Sequence, residues 1–201
     1  MVISTSPSMT LEDYLAYEPE TDGRYELRQG RLVEMGAESD VNVSIAMFLI
    51  SVLLKFVPYS RLRRGTEIAV PGEKAETRYP DLLVLNQDGV AALSGNRRSL
   101  ITFDMPEPAL VIEVVSNSER DKRSRERDYE DKRWEYAQRG VPEYWIIDPI
   151  AKVVIVLVLD ETLNNKRYRE IRFKDDQRLD SPMFSELNLI ASDVLKAGGI
   201  E

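Results

Sequence analysis

A run of seven residues, 109–115, constrains the fold of this chain more than any other segment. The run is apolar except for Glu113, and so continuous a run predicts a strand that is buried on both faces. Such a strand needs packed layers on both sides of its sheet. We therefore expect an α/β fold in which the carboxylate of Glu113 lies inside the protein.

Periodic patterns predict further elements on either side of this strand. Helical spacing and cap residues predict helices over 10–17, 43–57 and 121–139, with Gly140 ending the third. Apolar runs and turn residues predict strands over 25–28, 31–35, 66–70, 79–85, 144–148, 153–159 and 166–173. The segments 71–78 and 86–108 are predicted as loops, and a short helix is expected near the end of the chain. This order predicts a mixed β-sheet flanked by helices.

Two residue types are missing from the chain, and this limits the catalytic and metal-binding sites that it can form. The chain contains no cysteine and no histidine, which excludes disulfides, thiol nucleophiles, Ser-His-Asp triads and imidazole metal ligands. Any metal must then be held by carboxylates, carbonyls and water, which suit magnesium, manganese or calcium. We see no signal-peptide pattern and no apolar run long enough for a bilayer, so a soluble cytoplasmic protein without a membrane partner is expected.

The net charge of the chain weighs against a role as a general nucleic-acid binder. At −8, the chain lacks the broad basic field that general nucleic-acid binders use. Local basic clusters over 61–64 and 120–127 reduce this objection without removing it.

Two acidic residues stand out because of their neighbours. Asp81 follows Pro80 and opens an apolar run, a position where aspartate is often only a turn or capping residue. Glu113 is harder to explain as surface, because an ionised glutamate is rarely buried unless it is paired or bound to a metal. A metal ligand and an ion pair with an arginine such as Arg78 are evenly matched as explanations for Glu113.

Lys132 shares a helix face with two tyrosines. It lies three residues after Tyr129 and four before Tyr136 in the predicted helix over 121–139. A lysine in such a charged helix often extends past its neighbours to water. The strand that carries Glu113 leads directly into this helix, however, so the helix is expected to pack back across the sheet and bring Lys132 towards Glu113. Two carboxylates beside one lysine suit a divalent metal and a phosphodiester.

These residues belong to a recognisable set. Taken together, the following motifs resemble the Uma-type family of restriction-endonuclease-like proteins in the wider PD-(D/E)xK nuclease superfamily: Pro80-Asp81, Glu113-Val114-Val115-Ser116, Lys132 with Tyr136, and the block 140–149. The resemblance covers roughly residues 11–190, and the block 140–149 is its most specific part. The N-terminal Tyr25-Glu26-Leu27 with Gly30 is similar to the family's opening element.

The resemblance implies roles for individual residues. Asp81 and Glu113 are expected to bind Mg²⁺ or Mn²⁺, and Glu26 to be an additional acid near the metal. In the superfamily's simplest pattern the lysine stands two residues after the acid, where this chain has Val115. Uma-type proteins use a lysine from the following helix instead, which corresponds to Lys132. Many relatives carry a histidine where this chain has Asn42, so the role of that position stays open.

The function implied is metal-dependent hydrolysis of DNA phosphodiester bonds, with a homodimer as a possible assembly. We expect one restriction-endonuclease-like domain over 1–201, with a helical lead-in over 1–23, a catalytic core over 24–160 and a C-terminal extension over 161–201. Lys132 would orient or deprotonate the attacking water, or neutralise charge on the phosphate. Glu26 would complete the metal shell or steer Lys132.

Two other functions remain open at this stage. A catalytically silent nuclease-fold domain for binding or scaffolding is favoured by the acidic net charge and disfavoured by the complete set Asp81, Glu113 and Lys132. A metal-dependent phosphohydrolase of small nucleotides would need no basic groove. The residues contain no recognisable sequence-reading element, so DNA and RNA both stay open as substrates.

Overall fold

A mixed β-sheet built around the predicted central strand is the main element of the structure, a computed structural model that describes residues 8–18, 23–115, 127–160, 162 and 166–199. Part of the predicted helix over 121–139, namely 121–126, lies outside the described residues. The helices are α1 (Leu11–Ala16), α2 (Asp40–Leu53), α3 (Gln87–Leu93), α4 (Lys132–Arg139) and α5 (Ala191–Lys196). One turn of π-helix, Arg127–Asp131, leads into α4.

The strands are β1 (Tyr25–Arg28), β2 (Arg31–Glu34), β3 (Leu62–Arg63), β4 (Glu67–Val70), β5 (Glu76–Arg78), β6 (Leu82–Val84), β7 (Leu100–Ile101), β8 (Leu110–Val114), β9 (Glu143–Asp148), β10 (Val153–Asp160) and β11 (Arg167–Phe173). Within the described ranges they form a six-stranded sheet in the order β11-β10-β9-β8-β6-β3, a three-stranded sheet in the order β5-β4-β7, and the hairpin β1-β2. In the large sheet β8 and β9 are parallel and the other neighbours antiparallel. The predicted mixed sheet with flanking helices is thereby confirmed.

The central strand β8 is buried on both faces, as predicted. Its residues Leu110, Ile112 and Val114 belong to one apolar cluster, which also contains residues of α2 and α5. The alternate residues Val111 and Val115 belong to a second cluster, which contains residues of α4 and the three-stranded sheet. Because side chains alternate along a strand, Glu113 lies on the same side as the second cluster.

The structure contains three elements in segments that are predicted as loops. Strand β5 lies in a segment predicted as a loop, because Glu76, Thr77 and Arg78 are polar although all three are buried. Helix α3 and strand β7 lie in the predicted loop 86–108. A local cap explains α3, since the N–H of Gly89 donates to Asn86 Oδ1 at 2.6 Å.

The ends of two further elements also differ from the prediction. Helix α2 begins at Asp40, three residues earlier than predicted, because Ser39 caps its first turn. The predicted strand over 79–85 is shorter, since only Leu82–Val84 pair with β8. Its first residues lie beyond the ladder, where they line a cleft.

A buried arginine joins the three-stranded sheet to α4. Arg78 on β5 donates from Nε to Glu135 Oε2 at 2.8 Å and from Nη1 to Glu76 Oε1 at 2.8 Å. Its Nη2 also bonds Glu135 Oε1, which makes the Arg78–Glu135 contact bidentate. The side chains of Arg78 and Glu135 are only 4% and 9% exposed, so each depends on the other for charge compensation.

Replacing Arg78 with methionine leaves two buried carboxylates without their cation. We expect Arg78→Met to lower the free energy of unfolding by about 3–5 kcal/mol, as measured by urea denaturation. The double variant Arg78→Met/Glu135→Leu removes one of the stranded charges and should recover part of this loss. A single variant that loses less than about 1 kcal/mol would contradict this role for the pair.

Gly140 ends α4 in a left-handed conformation with φ +90°. Its N–H donates to the carbonyls of Tyr136 and Ala137. A Cβ at this φ costs about 1–2 kcal/mol, so Gly140→Ala should lower unfolding stability by that amount. Gly36 provides the matched control, because it has no such φ and a Cβ there would meet no atom within 4 Å. Equal effects of Gly140→Ala and Gly36→Ala in denaturant unfolding would count against this explanation.

Candidate active site

The central strand presents one charged side chain to the interior. Glu113 is 3% exposed and shares its side of β8 with Val111 and Val115. Its Oε1 atom receives two contacts from helix α4: Lys132 Nζ lies 2.9 Å away, and the hydroxyl of Tyr136 donates to it at 2.7 Å. The contacts described for this buried carboxylate thus include a cation and a neutral donor, both of which compensate its charge.

Helix α4 brings both donors to the same oxygen because of their spacing. Lys132 and Tyr136 are four residues apart, about one helical turn, so their side chains lie on one face. Burial first, and then the charge of Glu113, raises the pKa of Tyr136 well above its ordinary value of 10. The phenol stays protonated and acts as a donor. The ion-pair partner of Glu113 is thus Lys132 rather than Arg78, which binds Glu135 and Glu76.

Asp81 faces the same side of the sheet as Glu113. The ladder pairs Leu82 with Ile112, so continuing it by one residue sets Asp81 opposite Glu113, and opposed residues share a face. A hydrogen bond agrees with this register, because the N–H of Val114 donates to Asp81 Oδ2 at 2.6 Å. Asp81 is therefore fixed by the strand that carries Glu113 as well as by its own.

Asn42 fixes the end of the same strand from the other layer. Its Nδ2 donates to the carbonyl of Val114 at 3.0 Å, and its Oδ1 accepts a hydrogen bond from the hydroxyl of Ser39 at 2.7 Å. Both polar groups of Val114 are thus held by side chains, the N–H by Asp81 and the carbonyl by Asn42. This contact attaches the start of α2 to the end of β8.

Glu26 reaches the site from the hairpin. It is 2% exposed and accepts hydrogen bonds from Arg28 Nε at 2.9 Å and from the N–H of Tyr79 at 3.1 Å. Burial alone would raise the pKa of Glu26, but the positive charges of Lys132, Arg28 and Arg78 bring the pKa below its usual value. Glu26 is therefore ionised at neutral pH, within the electrostatic reach of Lys132.

One cleft contains all four residues that the sequence singled out. Glu26, Asp81, Glu113 and Lys132 line a cavity of about 700 Å³. Its walls come from the hairpin, the segment that precedes α2, and the ends of β6 and β8. A volume of this order is typical of a ligand site.

The side chains in this cleft fit a hard divalent cation. In the part of the chain that the structure describes, no group of three or more acidic residues is placed to hold a metal. Asp81 and Glu113 supply carboxylate oxygens on one face of the sheet, which is the ligand chemistry that Mg²⁺ and Mn²⁺ prefer. Mg²⁺ usually takes only one or two protein carboxylates and keeps several waters, and Asp81 and Glu113 are two carboxylates.

Sequence reasoning missed two of the contacts that support this set. The sequence places Tyr136 on the helix face of Lys132 without a partner of its own, and the spacing of four residues is the signal that both can reach one acceptor. The contact of Asn42 with Val114 left no local signal, since the two are far apart in sequence. Tyr129, by contrast, bonds elsewhere, because its hydroxyl donates to Asp148 Oδ2 at 2.7 Å.

Comparison with known proteins shows what the chain as a whole is similar to. Among the described residues, no helix has the length and apolar character needed to cross a bilayer. No curated protein matches the sequence. The chain is similar to the crystal structure of "a putative nuclease belonging to DUF820" from Anabaena variabilis, with 18% identity and a TM-score of 0.67 over 94% of this chain and 99% of that one. At this identity the likeness establishes the fold alone.

The sequence itself supplies the assignment. The model of the Uma2 family, described as "Putative restriction endonuclease", matches residues 11–192. This range covers most of the chain and includes Glu26, Asp81, Glu113 and Lys132. The chain therefore belongs to the Uma2 family of restriction-endonuclease-like proteins.

Proposed function

We propose that this protein is a metal-dependent endonuclease of the PD-(D/E)xK type that hydrolyses phosphodiester bonds in DNA. The observation that carries the proposal is the convergence of Asp81, Glu113 and Lys132 in one cleft. Membership of a restriction-endonuclease-like family supports it. Burying acids and a lysine costs free energy, and proteins place such groups together most often at functional sites.

In this mechanism Asp81 and Glu113 would hold Mg²⁺ or Mn²⁺. The bound cation would polarise the scissile phosphate and lower the pKa of a water molecule. The N–H of Val114 orients Asp81 through its bond to Oδ2, and Tyr136 orients Glu113 through its bond to Oε1. These bonds fix the two carboxylates before substrate arrives, which reduces the cost of ordering the site.

Lys132 is the proposed chemical group. Its Nζ lies 2.9 Å from Glu113 Oε1, next to the carboxylates that would hold the metal. From this position it would orient or deprotonate the attacking water, or neutralise charge that develops on the phosphate. Glu26 is the proposed steering residue, because its ionised carboxylate attracts Lys132 from the hairpin side.

The alternative is a catalytically silent nuclease-fold domain that binds or scaffolds. The net charge of −8 favours it, as does the compensation of Glu113 by Lys132, which needs no metal. Three further expectations stay predictions: the cytoplasmic location, the homodimer, and the division of the domain into a lead-in, a catalytic core and a C-terminal extension at residues 23 and 160.

Metal binding separates these functions without a guess about substrate. We expect calorimetric titration to show Mn²⁺ binding to the wild type and at least tenfold weaker binding to Asp81→Asn, which keeps the acceptor for Val114 but removes the charge. Lys132→Ala should bind Mn²⁺ at least as tightly, since it removes a positive charge from the cleft. Wild-type protein that binds no Mn²⁺, alone or with a short oligonucleotide present, would contradict the proposal.

Cleavage of plasmid and oligonucleotide DNA in Mn²⁺ then tests the chemistry. Lys132→Ala should lower the rate by about 10²–10⁴ while metal binding persists, and chelation of the metal should abolish cleavage. Lys174→Ala is the control, because Lys174 is exposed and does not line the cleft. Metal-loaded wild type without any cleavage would favour the silent domain.

A further inference from the structure

Three arginines, two at the ends of β1 and one just after β3, line the same cleft. Arg24 precedes β1, Arg28 ends β1 and Arg64 follows β3. Their side chains are 38%, 30% and 27% exposed, so they reach solvent while Glu113 and Lys132 beneath them are buried. We call these three residues the arginine rim. A local concentration of arginine in an acidic chain needs an explanation beyond solubility.

Carboxylates hold the arginine rim in place without cancelling its charge. Glu38 pairs with both Arg24 and Arg64, so one negative charge is shared by two positive ones. The described bonds of Arg28 to Glu26 use Nε and Nη2, which leaves further N–H groups of a five-donor guanidinium for another acceptor. A guanidinium group that is held in this way presents paired N–H donors, whose geometry matches the oxygen atoms of a phosphate group.

An aromatic surface lies beside the rim. Tyr79 lines the cleft, and the guanidinium of Arg24 lies over its ring, 5.5 Å from the ring centroid. Aromatic rings and guanidinium planes are the surfaces on which unpaired bases stack. The bases of a duplex are already stacked on each other, so an unpaired base suits this surface better than a base pair does.

The charge of the cleft suits a ligand that places only a few phosphate groups in it. A protein that reads duplex DNA commonly neutralises 6–10 phosphates, whereas the arginine rim provides three cations. Among the described residues that line the cleft, four are basic and five are acidic, an excess of one negative charge. One divalent cation would reverse that sign, so anion binding should require the cation.

We propose that the cleft binds a short unpaired nucleic-acid strand, with the arginine rim on its phosphates and the Arg24–Tyr79 pair against a base. The proposal rests on the proposed function for the identity of the ligand, since both concern the same cleft. It adds that the substrate is single-stranded or locally unpaired and that a divalent cation is needed for binding. A single-strand substrate also removes the need for two copies to cut both strands.

Binding, rather than cleavage, tests this proposal. Fluorescence anisotropy of a labelled 15-nucleotide strand, alone or annealed to its complement, is measured with the full chain in Ca²⁺ and in chelator, and a gel verifies that the strand stays intact. We expect at least tenfold tighter binding of the single strand and little binding in chelator. The slope of log K against log salt should be about −2, since three phosphates on a single strand each contribute about −0.7.

Variants assign the contacts. Arg24→Gln and Arg64→Gln should each weaken binding and reduce the salt slope by about 0.7. Tyr79→Ala should weaken binding about tenfold, whereas Tyr79→Phe should not, because stacking needs only the ring. Arg97→Gln is the matched control, since Arg97 pairs with Glu18 at an exposed position outside the cleft.

The outcomes distinguish this proposal from the proposed function. Tighter binding of duplex with a salt slope steeper than about −5 would overturn the single-strand proposal, as would rim variants that behave like Arg97→Gln. Cation-dependent single-strand binding without cleavage would uphold it and favour the silent domain. Cleavage that is unaffected by the rim variants would uphold the nuclease and overturn the proposed strand contacts.

Discussion

Compensation of the buried carboxylate of Glu113 is the interaction on which the rest of this structure depends. A glutamate in the middle of a strand buried on both faces is costly unless cations and donors reach it. Lys132 and Tyr136 do so from one turn of α4, and both contact the same oxygen atom. The position of α4 against β8 is therefore set by charge as well as by apolar packing.

The pairing of β6 with β8 brings a second carboxylate next to Glu113. Because β6 and β8 are antiparallel neighbours, the residue just before β6 comes opposite Glu113. Asp81 occupies that place and is locked by the N–H of Val114. Two carboxylates thereby face one cleft, one within β8 and the other directly before β6, and both are positioned by paired strands.

A second set of buried ion pairs, centred on Arg78, accompanies the Glu113–Lys132 pair. Arg78 ties β5 to α4 through Glu135 and also lowers the pKa of Glu26 together with Lys132 and Arg28. Charges in this half of the molecule therefore occur in linked pairs. Such a network is a poor source of net stability compared with apolar packing, but it fixes where each charge lies. The acidic chain thus carries a cleft in which several cations are held close together.

The sequence by itself determined the elements with strong apolar periodicity and the kinds of side chain that the candidate site has at its disposal. The run around Glu113 indicated the central strand, and the absence of histidine and cysteine limited any metal to oxygen ligands. The spacing of Lys132 and Tyr136 indicated their common face. Only the tertiary structure decided that Tyr136 and Lys132 share one oxygen of Glu113, that Asn42 holds Val114, and that polar β5 is a buried strand. Those facts depend on strand register and helix packing between residues distant in sequence, and no local pattern encodes such contacts.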